Sequence, residues 1–140
     1  MDKWISYAFI SMLFAGFTSV IAKAGLVGIS GELGLVIRTL FVCGFIGLFA
    51  VMTVPLSDLN TATHQNFWWL GLSGVTTSFS WIFYYKALKA GDVATVALID
   101  KGSVVVAMLL AWFMLKETIT LRMLIGAAFI VVGLFIIARK

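Results

Sequence analysis

A chain of 140 residues that is 62% hydrophobic and 11% charged, with mean hydropathy +1.11, lies far outside the soluble averages of about 45–50% apolar and about 25% charged. That excludes an ordinary soluble domain, and the net charge of +4, which would point a soluble chain toward nucleic acid, is here spread around hydrophobic stretches where membrane topology accounts for it. Five segments of about twenty residues use nearly the whole length, leaving no room for a soluble catalytic module, and the single cysteine, Cys43, excludes an intramolecular disulfide.

The expected architecture is an all-α polytopic membrane protein with one domain over residues 1–140. The first predicted span, about residues 4–22, carries Ala8, Ser11, Ala15 and Ser19 at helical spacing, a small-residue face suited to close helix packing. It ends at Lys23 rather than at a cleavage-type motif, so it reads as a retained helix and not as a signal peptide. Gly25, Gly28, Gly31 and Gly34 then break the chain. The second span, 33–54, holds Arg38 about a turn and a half inside its start and is closed by Pro55. Glu32 before it is read as a favourable charge at a helix start and nothing more, and Cys43 within it as a small buried packing residue.

After the polar loop 57–66, with its lone His64, the third span, 67–88, combines Gly71, Gly74 and Ser78 for close approach with Ser73, Thr76, Thr77 and Ser80 as hydrogen-bonding groups. Trp81, Phe83, Tyr84 and Tyr85 follow as an aromatic cluster before Lys86 and Lys89. Asp92 is placed to cap the fourth span, 93–115, and Thr120 to cap the fifth, 121–138, where Gly126 and Gly133 share a face and Arg139 and Lys140 anchor the end. With five spans the termini lie on opposite sides. Lys23, Lys86, Lys89, Arg139 and Lys140 then fall on the carboxyl side, against Lys3, Lys116 and Arg122 on the amino side, which favours a cytoplasmic carboxyl terminus.

The fourth span carries the chemistry. Asp100 and Lys101 lie well inside it, where each charge costs roughly 2.5–3.5 kcal/mol on insertion scales and functional roles are the default. Adjacent helical residues point about 100° apart, so the pair is not expected to neutralise itself, and Arg38 is the reasonable partner for Asp100. These three residues, with Trp81, Ser73, Thr77 and Tyr84, are the substrate and coupling candidates, grouped around a hydrated vestibule on the carboxyl side. An interhelical ion pair that only fixes packing is the structural reading of Asp100 and Lys101; lipid-belt or core packing is that of the aromatics. The aromatics would suit an organic cation and the excess of positive groups an anionic metabolite. No carboxylate pair, Ser/His/Asp set, phosphate loop or metal-ligand cluster supports an enzyme, and no cofactor or metal is expected.

The segment WIFYYKALKAGDVATVALIDKGSVVVAMLLAWFMLKETITLRMLIGAAFIVVGLFII is similar to the end of an EamA domain of the drug/metabolite transporter superfamily, and VIAKAGL and VIRTLF extend the resemblance over essentially the whole chain. Common members hold two five-helix halves; this chain resembles the half-size group, and it carries Asp100-Lys101-Gly102 where a proline is frequent in the fourth helix. The resemblance implies a secondary transporter of small metabolites or drug-like molecules, working by alternating access in a bacterial inner membrane. Transporter sites form between structural repeats, so one five-helix unit is expected to pair into a ten-helix dimer, as a homodimer or with a related half-size subunit. An antiparallel homodimer, which reproduces an inverted repeat, is favoured over a parallel one. The competing class is a non-transporting accessory or assembly subunit of a larger membrane complex.

Overall fold

The computed structural model describes residues 3–138, whose regular elements are all helical. The anchoring role expected of Arg139 and Lys140 lies outside the described residues. Helices α1 (Lys3–Gly25) and α2 (Gly31–Thr53) are followed by a 3-10 turn, Leu56–Thr61, and then by α3 (His64–Ala90). Next come α4 (Val93–Asp100), α5 (Ser103–Leu110), a π-helical turn over Ala111–Leu115, and α6 (Leu121–Ala138). Three stretches are long and apolar enough to cross a membrane: Lys3–Gly25, Gly31–Thr53 and Val93–Leu115. The 27-residue α3 is long but diluted by Ser73, Thr76, Thr77, Ser78 and Ser80, and α6 is apolar over the shorter stretch Leu121–Ile137.

Local chemistry sets the helix starts. The Ser30 hydroxyl accepts from the Leu33 N–H at 3.1 Å, the Asp92 carboxylate from Thr95 N–H at 3.3 Å, and the Thr120 hydroxyl from Met123 N–H at 3.3 Å. Each satisfies one of the orphan donors of a first helical turn. At the other end of α2, Val54 turns extended and Pro55 cannot continue the helix.

The chain divides into two compact units. Residues 20–90 make one, in which α2 packs along α3 and the buried apolar side chains among the described residues, Leu26, Tyr85 and Leu88, gather at one end. Gly28, at φ 76°, turns the chain there, and Gly31 lets α2 touch α3 backbone to backbone: a Cβ on it would lie 2.9 Å from the Tyr85 carbonyl oxygen. Two lysines lock this end. Lys23, in the last turn of α1, donates to the Leu88 carbonyl at 2.6 Å and the Lys89 carbonyl at 3.4 Å; Lys89 in turn donates to the Leu26 carbonyl at 2.8 Å.

These bonds answer carbonyls that helix ends leave open, with a cation at the negative pole of each helix. Lys23 and Lys89 are therefore structural clamps as well as topological charges. Bonds to charged donors contribute roughly 1.5–3 kcal/mol each, toward the low end where water reaches them. Lys23→Met and Lys89→Met are each expected to lower stability by about 1–2 kcal/mol, and the double change by less than the sum, because both hold the same junction. Thermal unfolding of the four proteins in detergent checks this; strict additivity would mean two independent contacts.

The second unit comprises residues 3–19 and 91–138, with α4 and α5 both packed on α6. Here the structure departs from the single helix expected over 93–115. The chain breaks after Asp100: Lys101 N–H bonds Leu98 O at 3.1 Å and Gly102 N–H bonds Ile99 O at 2.9 Å, shortened turns that interrupt the α-helical ladder. Gly102 lets α6 come close at this point: a Cβ there would meet Leu134 Cδ1 of α6 at 2.8 Å and the Ile99 carbonyl oxygen at 3.1 Å.

The glycine faces of α3 and α6 are not packed within their own units: added Cβ atoms at Gly71, Gly74, Gly126 and Gly133 would meet nothing within 4 Å, and the close approaches are at Gly31, at Gly34 against Leu26, and at Gly102. Cys43, expected to be buried, is exposed on α2 for the same reason: no helix of its unit covers that face.

Candidate substrate and coupling site

The candidate residues fall into two groups, one in each unit. In the first, α2 and α3 run past each other so that Arg38 reaches Trp81, its guanidinium carbon 4.1 Å from the ring centroid and 5.9 Å from that of Tyr85. Within its own unit Arg38 rests on these ring faces. A planar, weakly hydrated cation over an indole face is favourable by about 0.5–2 kcal/mol. Tyr84 stands edge-on to Tyr85, ring centroids 6.4 Å apart.

Thr77 and Ser73 lie about one and two turns before Trp81 on α3, both exposed. The Thr77 hydroxyl donates to the Ser73 carbonyl at 2.8 Å, and those of Thr76 and Ser78 likewise bond back within α3. These donors are satisfied by their own helix, so they hold no neighbouring helix and their oxygens remain as acceptors. Glu32, read as a mere helix-start charge, pairs with Lys86 across α2 and α3 at 3.4 Å, both side chains more than half exposed. Such an exposed pair adds little stability. It does remove Lys86 and Glu32 from the pool of free charges around Arg38.

The second group is Asp100 and Lys101. Lys101 Nζ lies 3.8 Å from Asp100 Oδ2, so the neighbours do form an ion pair, contrary to the angular argument. That argument counted backbone directions; the four-carbon lysine stem is long enough to curl back, and the broken ladder frees the backbone to let it. Both remain open, with side-chain exposures of 38% for Asp100 and 55% for Lys101. The facing part of α6 offers Leu134 and no ionisable group. Next to the break, Val104 N–H donates to Lys101 O at 3.1 Å rather than to the Asp100 carbonyl, its ordinary partner in an α-helix. An acidic side chain, a freed carbonyl and a half-helix end thus share one spot in the middle of an apolar stretch. Interrupted helices of this kind hold ions and substrates in membrane transporters.

Lys23 and Lys89, which complete this end of the unit with Tyr85, were read from the sequence only as topological charges. A signal existed for the lysines, since basic residues in last helical turns mark carbonyl caps.

Comparison with known proteins agrees with this picture of an apolar helical chain holding charges in mid-span. No solved structure matches it. A protein of Sinorhizobium sp named "Uncharacterized transporter in cobO 3'region" is 33% identical over 137 residues, which are 98% of this chain and 97% of that protein. The pattern of the EamA-like transporter family covers residues 2–139, and the chain accordingly belongs to that family as an integral membrane protein.

Proposed function

We propose that this protein is a secondary transporter of small metabolites or drug-like molecules, working by alternating access as a dimer of five-helix units in a bacterial inner membrane, with its carboxyl terminus cytoplasmic. The observation that carries the reading is the Asp100–Lys101 pair, half open on the unit's surface at a helix break. Charges so placed do not face lipid; they face protein or a water-filled cavity. Family membership supports transport over catalysis, and the uncovered glycine faces of α3 and α6 support a second unit packed against this one. In this reading Asp100 and Lys101 exchange partners as substrate or coupling ion enters. Each state then leaves no lone charge in the membrane.

Cysteine accessibility tests the reading without a known substrate. On a Cys43→Ser background, Ser57→Cys and Lys140→Cys report orientation, and Ser103→Cys, three residues past Asp100, reports the site. Membrane-impermeant maleimide is expected to label Ser103→Cys in the membrane. Labelling of Ser57→Cys from both faces in comparable fractions makes the dimer antiparallel; labelling from one face makes it parallel or mixed with a partner subunit. Complete protection of Ser103→Cys from both faces would mean a packed assembly contact, and the accessory-subunit reading would replace transport.

A further inference from the structure

Asp100 and Lys101 meet within one unit, and they meet on unequal terms. Lys101 Nζ stands 3.8 Å from Asp100 Oδ2, in ion-pair contact but too far for a charge-assisted hydrogen bond, which closes at about 2.7–2.9 Å. Neighbouring residues start about 100° apart, so the lysine stem has to double back and its ammonium stops before it can donate. The carboxylate also closes α4 (Val93–Asp100), so the negative pole of that helix and the formal charge of Asp100 fall at one place. The Asp100 carbonyl adds to them, because Val104 N–H, its ordinary donor, goes to Lys101 O. Leu134 of α6 approaches the adjoining Gly102 and supplies a hydrocarbon wall. Three features that attract a cation thus converge where the resident one is loosely held.

Which partner can leave decides what can enter. A cation bound to Asp100 displaces the Lys101 ammonium, already 55% exposed, whose four-carbon stem can carry its charge outward to water. An anion bound to Lys101 displaces a carboxylate that has one methylene to move on and must stay where it is, at the negative end of α4. We infer that Asp100 is the receptor for a small primary ammonium ion, and that Lys101 is its tethered stand-in, occupying the carboxylate when no such ion is bound and yielding when one arrives. The lysine side chain, itself an alkylammonium, is the template for the class. A free alkylammonium reaches the hydrogen-bond distance that the tether denies Lys101. Calling that ion the cargo rests on the transport reading; its binding does not.

The test uses the full chain in phosphatidylcholine nanodiscs and equilibrium dialysis of radiolabelled n-butylammonium in sodium chloride at constant ionic strength, with empty discs subtracted. Lys101→Met removes the resident competitor and is expected to tighten binding at least tenfold over the unaltered chain. Lys101→Gln, polar but uncharged, should do the same, and carries the test if Lys101→Met does not fold. The double change Asp100→Asn with Lys101→Met should abolish binding. Binding that is absent, unchanged or weaker in the lysine variants overturns the inference, because a pair that only fixes packing gives that result. Binding that survives in the double variant overturns it too. So does saturable binding of glycine or butyrate to the unaltered chain that is lost in Lys101→Met, since Lys101 then holds the ligand instead of yielding to it. Binding of n-butylammonium with no flux of ethanolammonium into sealed vesicles above the protein-free leak would sink transport and leave the site; ethanolammonium flux undiminished in the double variant would sink the site and leave transport.

Discussion

Asp100→Asn is expected to destabilise the protein more than the double change Asp100→Asn with Lys101→Met does, by about 2–3 kcal/mol. The single change leaves an ammonium in an apolar helix with its partner 3.8 Å away turned neutral, and a lone charge at mid-span costs roughly 2.5–3.5 kcal/mol on insertion scales. Fully buried pairs lose 3–5 kcal/mol when broken from one side, while replacing both partners is often neutral. The two side chains here are 38% and 55% open, so the lower part of that range applies. Lys101→Met should be penalised in the same sense, because Asp100 cannot reach the interface as a long lysine can. Unfolding in detergent of the four proteins of this cycle gives the coupling directly. A coupling near zero would show that the pair is fully hydrated in the folded state and holds nothing together.

Gly31→Val is the second large effect, and it acts through shape alone. Even the first carbon of a side chain at Gly31 would lie 2.9 Å from the Tyr85 oxygen and 3.2 Å from its carbonyl carbon. Those are backbone atoms of α3 and cannot rotate away, so α3 must retreat. Retreat pulls on the bonds from Lys23 to the Leu88 carbonyl and from Lys89 to the Leu26 carbonyl. Overpacking of this type costs about 1–3 kcal/mol, and loss of the clamp adds to it. Gly31→Ala should therefore lose about 1–3 kcal/mol, and Gly31→Val enough to deplete the folded protein recovered from membranes. Gly102→Ala is the contrast: its Cβ would press chiefly on Leu134 Cδ1, the tip of a side chain that can turn aside. Size-exclusion recovery and melting temperature rank the three. If Gly102→Ala is the more damaging, the α2–α3 junction is softer than its geometry implies.

Some elements were legible before any coordinates because they are local. Asp92 and Thr120 cap helices since an acceptor side chain at that spacing meets the N–H three residues on whatever lies around it. Pro55 stops α2 because it lacks an N–H. The candidate residues Arg38 and Trp81 come together, as do Asp100 and Lys101. Their grouping was not legible. That Arg38 rests on Trp81 was hidden because the orientation of an indole across a helix pair is not visible in a sequence. The break at Asp100 was missed too, since each of its residues tolerates a helix and the shortened turns show only in the backbone hydrogen bonds.

By itself the sequence determined that this is an all-helical membrane chain, which residues are chemically expensive within it, and which family it belongs to. Those follow from composition, from helix length against bilayer thickness, and from residue patterns along one dimension. The tertiary structure alone decided which lysines cap helix ends, that Glu32 engages Lys86, that Asp100 and Lys101 meet, and that Arg38 rests on the Trp81 ring. Long side chains reach several ångströms in directions the backbone period does not specify. Only the packed helices say what stands where they arrive.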